Sequence, residues 1–252
     1  SVLRMALAII LVTAFLHQAT GNAYAQSGRI SVIRDAEIEA LIADYARPLL
    51  KAAGLRRGSV RFLVANNPAF NAFVSGRNMV INTGLLLTAK TPGEVIGVIA
   101  HELGHIKGGH QQRLAERART AKIIAVASTL LGIGAGIAGS VAGSRDAAGA
   151  GFGIAAGGSQ AALRGLLQYR REEEITADRA AATILKSARL SGAGMLATFR
   201  RFNRTLALSG TRVNPYLQSH PMPQDRVANL ESVLRRSPHF NKPDSKSLRE
   251  RH

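Results

Sequence analysis

His101-Glu102-Leu103-Gly104-His105 decides the reading of this chain. The five residues have the form H-E-x-x-H and lie inside a helical pattern. On a helix, positions i and i+4 share one face, so His101 and His105 present both imidazoles to one point. Two neutral imidazoles at that spacing suit a zinc ion. Glu102, beside the first of them, is placed to take a proton from the water that such an ion activates. The flanks agree with a helix. Thr91-Pro92-Gly93-Glu94 supplies an N-cap residue, a proline at the first helical position and a glutamate at the third. The apolar run from Val95 to Ala100 then leads into the motif as a buried helix would.

A tetrahedral catalytic zinc takes three protein ligands and a water, so a third ligand is needed. The metzincin pattern asks for a glycine three residues after the second histidine and a histidine three residues later. Gly108 fits, but the next position is Gln111, and His110 misses by one place. His110 is therefore expected at a helix end or on the surface. Further on, Glu174-Ile175-Thr176-Ala177-Asp178 places Glu174 and Asp178 at i and i+4 on a second helix. Glu174 completes a His-His-Glu set. Asp178, one turn on, is placed to accept a hydrogen bond from a ligand imidazole and fix its tautomer. Glu172 and Glu173 point to other faces, toward solvent or arginines. Later, His220-Pro221 precedes a helix from Val227 to Arg235 and puts an imidazole at a rim. His220 there can donate to an oxyanion or act as a fourth, blocking ligand, and Arg226 can support the same site.

The segments ahead of the motif predict a small sheet. Asp35 to Ala53 reads as an amphipathic helix, with Ile38, Leu41, Ile42, Tyr45 and Leu49 on one face, Pro48 inside and Gly54 as its stop. Val60 to Val64 reads as a strand. Phe73 to Ser75, Gly76-Arg77 and Asn78 to Asn82 read as a hairpin. An exposed edge of this sheet, next to the motif helix, offers an extended peptide a strand to pair with.

Residues 121–163 differ in composition. Ile123 to Ser144 carries no charge and is rich in Gly and Ala; Arg145-Asp146 interrupts; Ala147 to Leu163 is again uncharged. Two such segments around a charged tip predict a helical hairpin facing a membrane. The spacing of Gly132 with Gly136 and of Gly139 with Gly143 suits close helix packing. Glycine dilutes the hydrophobicity, so the hairpin is expected to dip into or lie on the bilayer, with full crossing as the alternative.

The chain has 252 residues, 46% of them hydrophobic and 5% aromatic, without tryptophan, so Ala, Leu, Ile and Val must fill the core. It has no cysteine, which excludes thiolate zinc sites, cysteine nucleophiles and disulfides. A net charge of +17 favours an anionic surface. The arginines are scattered, with no nucleic-acid motif, so anionic membrane is the expected partner and nucleic acid is not. Arg4, the apolar run Ala6 to Leu16 and Ala23-Tyr24-Ala25 have the order of an export signal cleaved after Ala25. The expected organisation is a signal peptide at 1–25, a metalloprotease domain at 26–240, and at 241–252 the start of a further C-terminal region.

Three motifs in order, HELGH at 101–105, EITAD at 174–178 and SHPMPQDR at 219–226, resemble metallopeptidase family forty-eight, the family of HtpX, BepA and the CAAX prenyl protease. Asn71-Ala72-Phe73 and Val80 to Leu85 resemble that family's substrate-side strands. The resemblance covers roughly residues 30 to 236, and the export signal makes the chain most similar to the BepA-like branch. It implies a mostly helical α+β, zincin-type fold with a small sheet beside the HExxH helix. It implies one zinc ion per chain held by His101, His105 and Glu174, with Glu102 as general base and acid. Asp178 is implied to sit behind the ligands. His220 and Arg226 match a His-Pro…Arg motif that either supports the transition state or blocks the metal. The function implied is a zinc endopeptidase acting on envelope or misfolded proteins in the periplasm. The alternative is a chaperone-like quality-control factor for outer-membrane proteins with latent proteolysis, contacting assembly machinery through a C-terminal region such as a TPR domain.

Overall fold

The computed structural model describes residues 31–208, 216, 219–221 and 224–252. The expected signal peptide lies outside the described residues. The helix that carries the motif, α3 (Pro92–Gly108), is the centre of the domain: every residue from Pro92 to Gly104 is buried. A helix apolar or small all round needs neighbours on every side. They are α1 (Ala36–Ala53), α5 (Arg145–Ser187), α6 (Ala193–Leu208) and a four-stranded sheet.

That sheet contains β1 (Val32–Ile33), β2 (Arg61–Ala65), β3 (Ala72–Ser75) and β4 (Asn78–Asn82) in the order β1-β2-β4-β3. β2 and β4 are parallel, and β3 and β4 form the expected hairpin with Val74 opposite Met79. β3 is therefore an edge strand, and it packs against α3. The core between sheet and helices is built from Ile42, Tyr45 and Leu49 of α1, Met79 and Ile81 of β4, and Val95, Val98, Ile99 and Leu103 of α3, all fully buried. α1 begins on Asp35, whose carboxylate accepts from the N–H groups of Glu37 and Ile38, and ends on Gly54 in the left-handed region at φ 73°.

α2 (Thr83–Thr88) links the sheet to α3. The start of α3 is capped from far away: the Gly93 N–H donates to Asp244 at 2.9 Å, and Glu94, which also pairs with Arg201 at 2.8 Å, accepts from the Lys90 N–H. α7 (Gln224–Arg235) and α8 (Lys246–Arg251) complete the described elements. Residues from 241 on fold back over the domain through Asp244, the Arg251–Asp44 ion pair and the His252–Tyr45 hydrogen bond.

α4 (His110–Val141) and the first half of α5 lie against each other and are joined by a short turn at Gly143, φ 72°. Their contact is made by small residues. A Cβ on Gly132 would meet the Gly151 carbonyl at 2.4 Å, and one on Gly139 would meet the Ala148 N at 2.5 Å. Gly143 lies at the exposed turn and takes no part in that packing.

Candidate metal centre

Two helices meet at the site because one residue between the histidines has no side chain. A Cβ on Gly104 would lie 2.6 Å from the Ala177 carbonyl oxygen. α3 and α5 therefore touch backbone to backbone at the level of the motif. That contact brings Glu174 and Asp178, one turn apart on α5, under His101 and His105.

His101 Nε2 and His105 Nε2 are 3.0 Å apart. Glu174 places Oε2 3.3 Å from His101 Nε2 and Oε1 3.3 Å from His105 Nε2. His220 brings Nδ1 to 3.1 Å from Glu174 Oε1 and 3.3 Å from His101 Nε2. The four residues each aim one donor atom at a common point, with all four atoms within 4.8 Å of one another. Donors about 2.0 Å from a small divalent ion form a tetrahedron with edges of about 3.3 Å; the neighbouring donors here stand 3.0 to 3.3 Å apart, and all four lie within 4.8 Å of one another. The nitrogen and carboxylate donor set is of the kind borderline-soft divalent metals take. Two imidazole nitrogens facing each other at 3.0 Å also require a proton or a cation between them.

Charges behind this first ring hold it in place. Arg226, on α7, is 1% exposed and clamps Asp178 with two hydrogen bonds, Nε to Oδ2 at 2.7 Å and Nη2 to Oδ1 at 3.0 Å. Its Nη1 lies 2.9 Å from Glu174 Oε2 and donates to the Pro221 carbonyl. The guanidinium is thus directed at the carboxylates and caps Phe199 at 4.9 Å. Asp178 in turn reaches His101 Nδ1 at 2.9 Å. Burial alone would raise both carboxyls. For Glu174, His220 and Arg226 outweigh burial and hold it well below the usual range, and for Asp178, Arg226 does the same. Burial also opposes a charge on His101, yet Asp178 and Glu174 lift it to about 9, so this edge of the site draws in positive charge.

Glu102 is 1% exposed, and its Oε1 lies 3.3 Å from His220 Nε2. Burial pushes its carboxyl up to about 7. It lines a pocket with Phe73, Val74, His105, Glu174 and His220, so the free edge of β3 borders the site. At that edge the Gln111 side chain donates to the Val74 carbonyl and accepts from the Gly76 N–H. His220 stacks on Tyr216 at 4.5 Å.

The structure thus brings together His101, Glu102, His105, Glu174, Asp178, His220 and Arg226. Glu173 is buried and paired with Arg113, and Glu172 is exposed. His110 departs from its expected surface placement. It does begin a helix, but it is 2% exposed and stands 2.8 Å from His105. Tyr216 and Gln111 were not expected at the site. The Gly108-Gly109 pair, a helix stop directly after the motif, is the sequence signal that marks a change of direction for His110.

A helical domain with a small mixed sheet and a buried His-His-Glu group between two helices defines a metallopeptidase-type site. The model of peptidase family M48 matches residues 32–234, and the chain belongs to that family. Among curated proteins it is 29% identical over 225 residues to a Vibrio cholerae protein provisionally named beta-barrel assembly-enhancing protease, a match covering 86% of this chain and 44% of that protein. It is 24% identical over 207 residues to the beta-barrel assembly-enhancing protease of Escherichia coli K12, covering 81% of this chain and 40% of that protein. It is 27% identical over 233 residues to the metalloprotease YcaL of the same strain, covering 88% and 82%. The chain spans less than half the length of the assembly-enhancing relatives. Family and relatives together support a metal-dependent peptide hydrolase.

Proposed function

We propose that this chain is a zinc endopeptidase of the bacterial envelope, with His101, His105 and Glu174 as zinc ligands and Glu102 as general base. The observation that carries the reading is the convergence of donor atoms from α3 and α5 on one point beside a buried carboxylate. A bound zinc ion supplies a water that ionises near pH 7 and a Lewis acid for the scissile carbonyl. The protein supplies the rest. Asp178 holds the His101 ring by Nδ1, and Arg226 holds Asp178 and Glu174. Glu102, in the pocket and raised by burial, takes the proton from the attacking water and returns it to the leaving amine. An extended substrate pairs with the edge of β3 after Gln111 has left Val74 and Gly76. His220 Nδ1 occupies a fourth donor position, which favours a latent resting site from which this imidazole must withdraw. That feature keeps the chaperone-like role, with proteolysis held back, as the second reading.

One casein-cleavage assay with parallel zinc analysis tests these roles. Glu102→Gln is expected to keep its zinc and lose about 10²–10⁴-fold in rate; full activity removes Glu102 from the mechanism. His220→Ala is expected to cleave faster than wild type. A slower rate assigns His220 to transition-state support instead.

The relatives' names point to outer-membrane protein assembly as the setting, with contacts to assembly machinery made by a further C-terminal region. The hairpin of α4 and α5 supports placement at the bilayer. Among the described residues, the exposed large apolar side chains other than Val32 and Leu87 all lie on these two helices. α4 is the one described helix long and apolar enough to cross a membrane. Its uncharged part, from Ile123 to Val141, is about 28 Å long at 1.5 Å per residue, close to a hydrocarbon core of about 30 Å. The exposed Arg117, Arg119 and Lys122 at the base of α4 and Arg164 on α5 then meet anionic headgroups.

A further inference from the structure

The Nδ1 atoms of His105 and His110 are 2.8 Å apart, with the two rings edge to face at 84°. They are five positions apart in sequence, which on a continuous helix would turn them about 140° apart. The contact exists because α3 stops at Gly109, φ 64°, whose N–H closes on the carbonyls of His105 and Ile106. The chain then doubles back, and the His110 ring fills the space over Gly108, where a Cβ would lie 2.1 Å from its Nε2. His110 Nε2 is buried with no hydrogen-bond partner among the described residues. Such a placement costs stability, so packing alone gives no reason for it.

A neutral imidazole carries one hydrogen and one lone pair on its two nitrogens. His105 turns Nε2 toward His101 and Glu174, so a metal held there needs the lone pair on Nε2 and the hydrogen on Nδ1. That hydrogen has an acceptor at 2.8 Å, the Nδ1 of His110. We propose that His110 is a positioning residue for the metal centre: it accepts the Nδ1–H of His105 and so fixes the ring and tautomer in which His105 binds metal. The two ligand histidines of α3 then have different supports, a carboxylate (Asp178) for His101 and a neutral imidazole for His105. The inference rests on the zinc reading above and adds to it a residue outside the four that aim donor atoms at the metal position.

Leucine and asparagine have nearly the same shape, and only asparagine carries an acceptor near the place of His110 Nδ1. Zinc affinity is measured by competition with a chelating dye for wild type, His110→Leu and His110→Asn, alongside the melting temperature of each after chelator treatment. His110→Leu is expected to bind zinc about 10–100-fold more weakly and His110→Asn within about a factor of three of wild type, with similar melting temperatures for the two variants. Equal affinity in the leucine variant, or equal loss in both, overturns the proposal while leaving the zinc site intact. Absence of zinc binding by wild type overturns the metal reading itself. Should the variants not fold, long-range ¹H–¹⁵N spectra of the zinc-loaded wild type decide: hydrogen on His105 Nδ1 and none on His110 Nδ1 is expected, and the reverse contradicts it.

Discussion

From Glu173 to Leu185, α5 is packed into the domain and buries three carboxylates, Glu173, Glu174 and Asp178; from Arg145 to Leu163 the same helix exposes Phe152, Ile154 and Leu163. Its polarity is inverted relative to an ordinary water-soluble helix, with charge inside at one end and apolar surface outside at the other. Backbone hydrogen bonding is alike in both halves, so the difference lies in what surrounds them. The buried half is stable because each charge has a counter-charge: Glu173 has Arg113, Asp178 has Arg226 and His101, and Glu174 has Arg226 and His101. Among the described residues, the exposed half packs on α4, met closely at Gly132, Gly139 and Gly151. An apolar surface this extensive is of the kind that interaction sites present.

Three variants probe that contrast. The largest effect is expected at the buried end. Asp178→Ala leaves Arg226 short of its main partner and is expected to cost about 3–5 kcal/mol of stability, read from denaturant unfolding. The effect carries a pH signature. The folded Asp178 carboxyl lies below its usual value of 3.8. Its contribution is therefore fully present above that value and is lost as pH falls through the lower folded value. The gap between wild type and Asp178→Ala should narrow under acid conditions, and also as pH rises from 6.5 to about 9, where His101, held up against its burial by Asp178 and Glu174, gives up its proton; a gap that stays constant in acid contradicts the pairing.

An intermediate effect is expected where α3 and α5 touch. Gly104→Ala forces a Cβ to within 2.6 Å of the Ala177 carbonyl. It is expected to cost about 1–3 kcal/mol and, by spreading the two helices, to weaken zinc binding as well. Zinc titration of the folded variant checks this, and unchanged affinity would mean that the close approach does not set the site. The smallest effect on the fold is expected at the exposed end. Leu131→Glu with Ile137→Glu, at side chains 69% and 60% exposed, should change stability by less than about 0.5 kcal/mol per site. The same pair should abolish sedimentation with phosphatidylglycerol vesicles. Wild-type protein that stays in solution beside those vesicles would count against bilayer contact.

The contrast also separates what sequence could and could not reveal. Regular elements were legible wherever local chemistry decides: α1 between Asp35 and Gly54, the β3–β4 hairpin around Gly76-Arg77, and the HExxH helix behind Pro92. Glu174 and Asp178 could be paired because i and i+4 on one helix share a face. Contacts set by tertiary approach were hidden. Nothing near Arg226 in sequence points to Asp178, nor does anything near Asp244 point to the start of α3. His110 begins a helix, as one of the two expected placements had it, but its burial beside His105 was hidden for a different reason: a single left-handed glycine at Gly109 redirects a side chain that helical spacing sends elsewhere.

The central claim is that two imidazoles of α3 and the Glu174 carboxylate of α5 hold one metal ion. Zinc content per chain, measured on wild type and Glu174→Ala after dialysis against a mild chelator, tests it most directly. The account predicts about one zinc ion per wild-type chain and almost none in the variant. A Glu174→Ala protein that keeps the wild-type zinc content would contradict it.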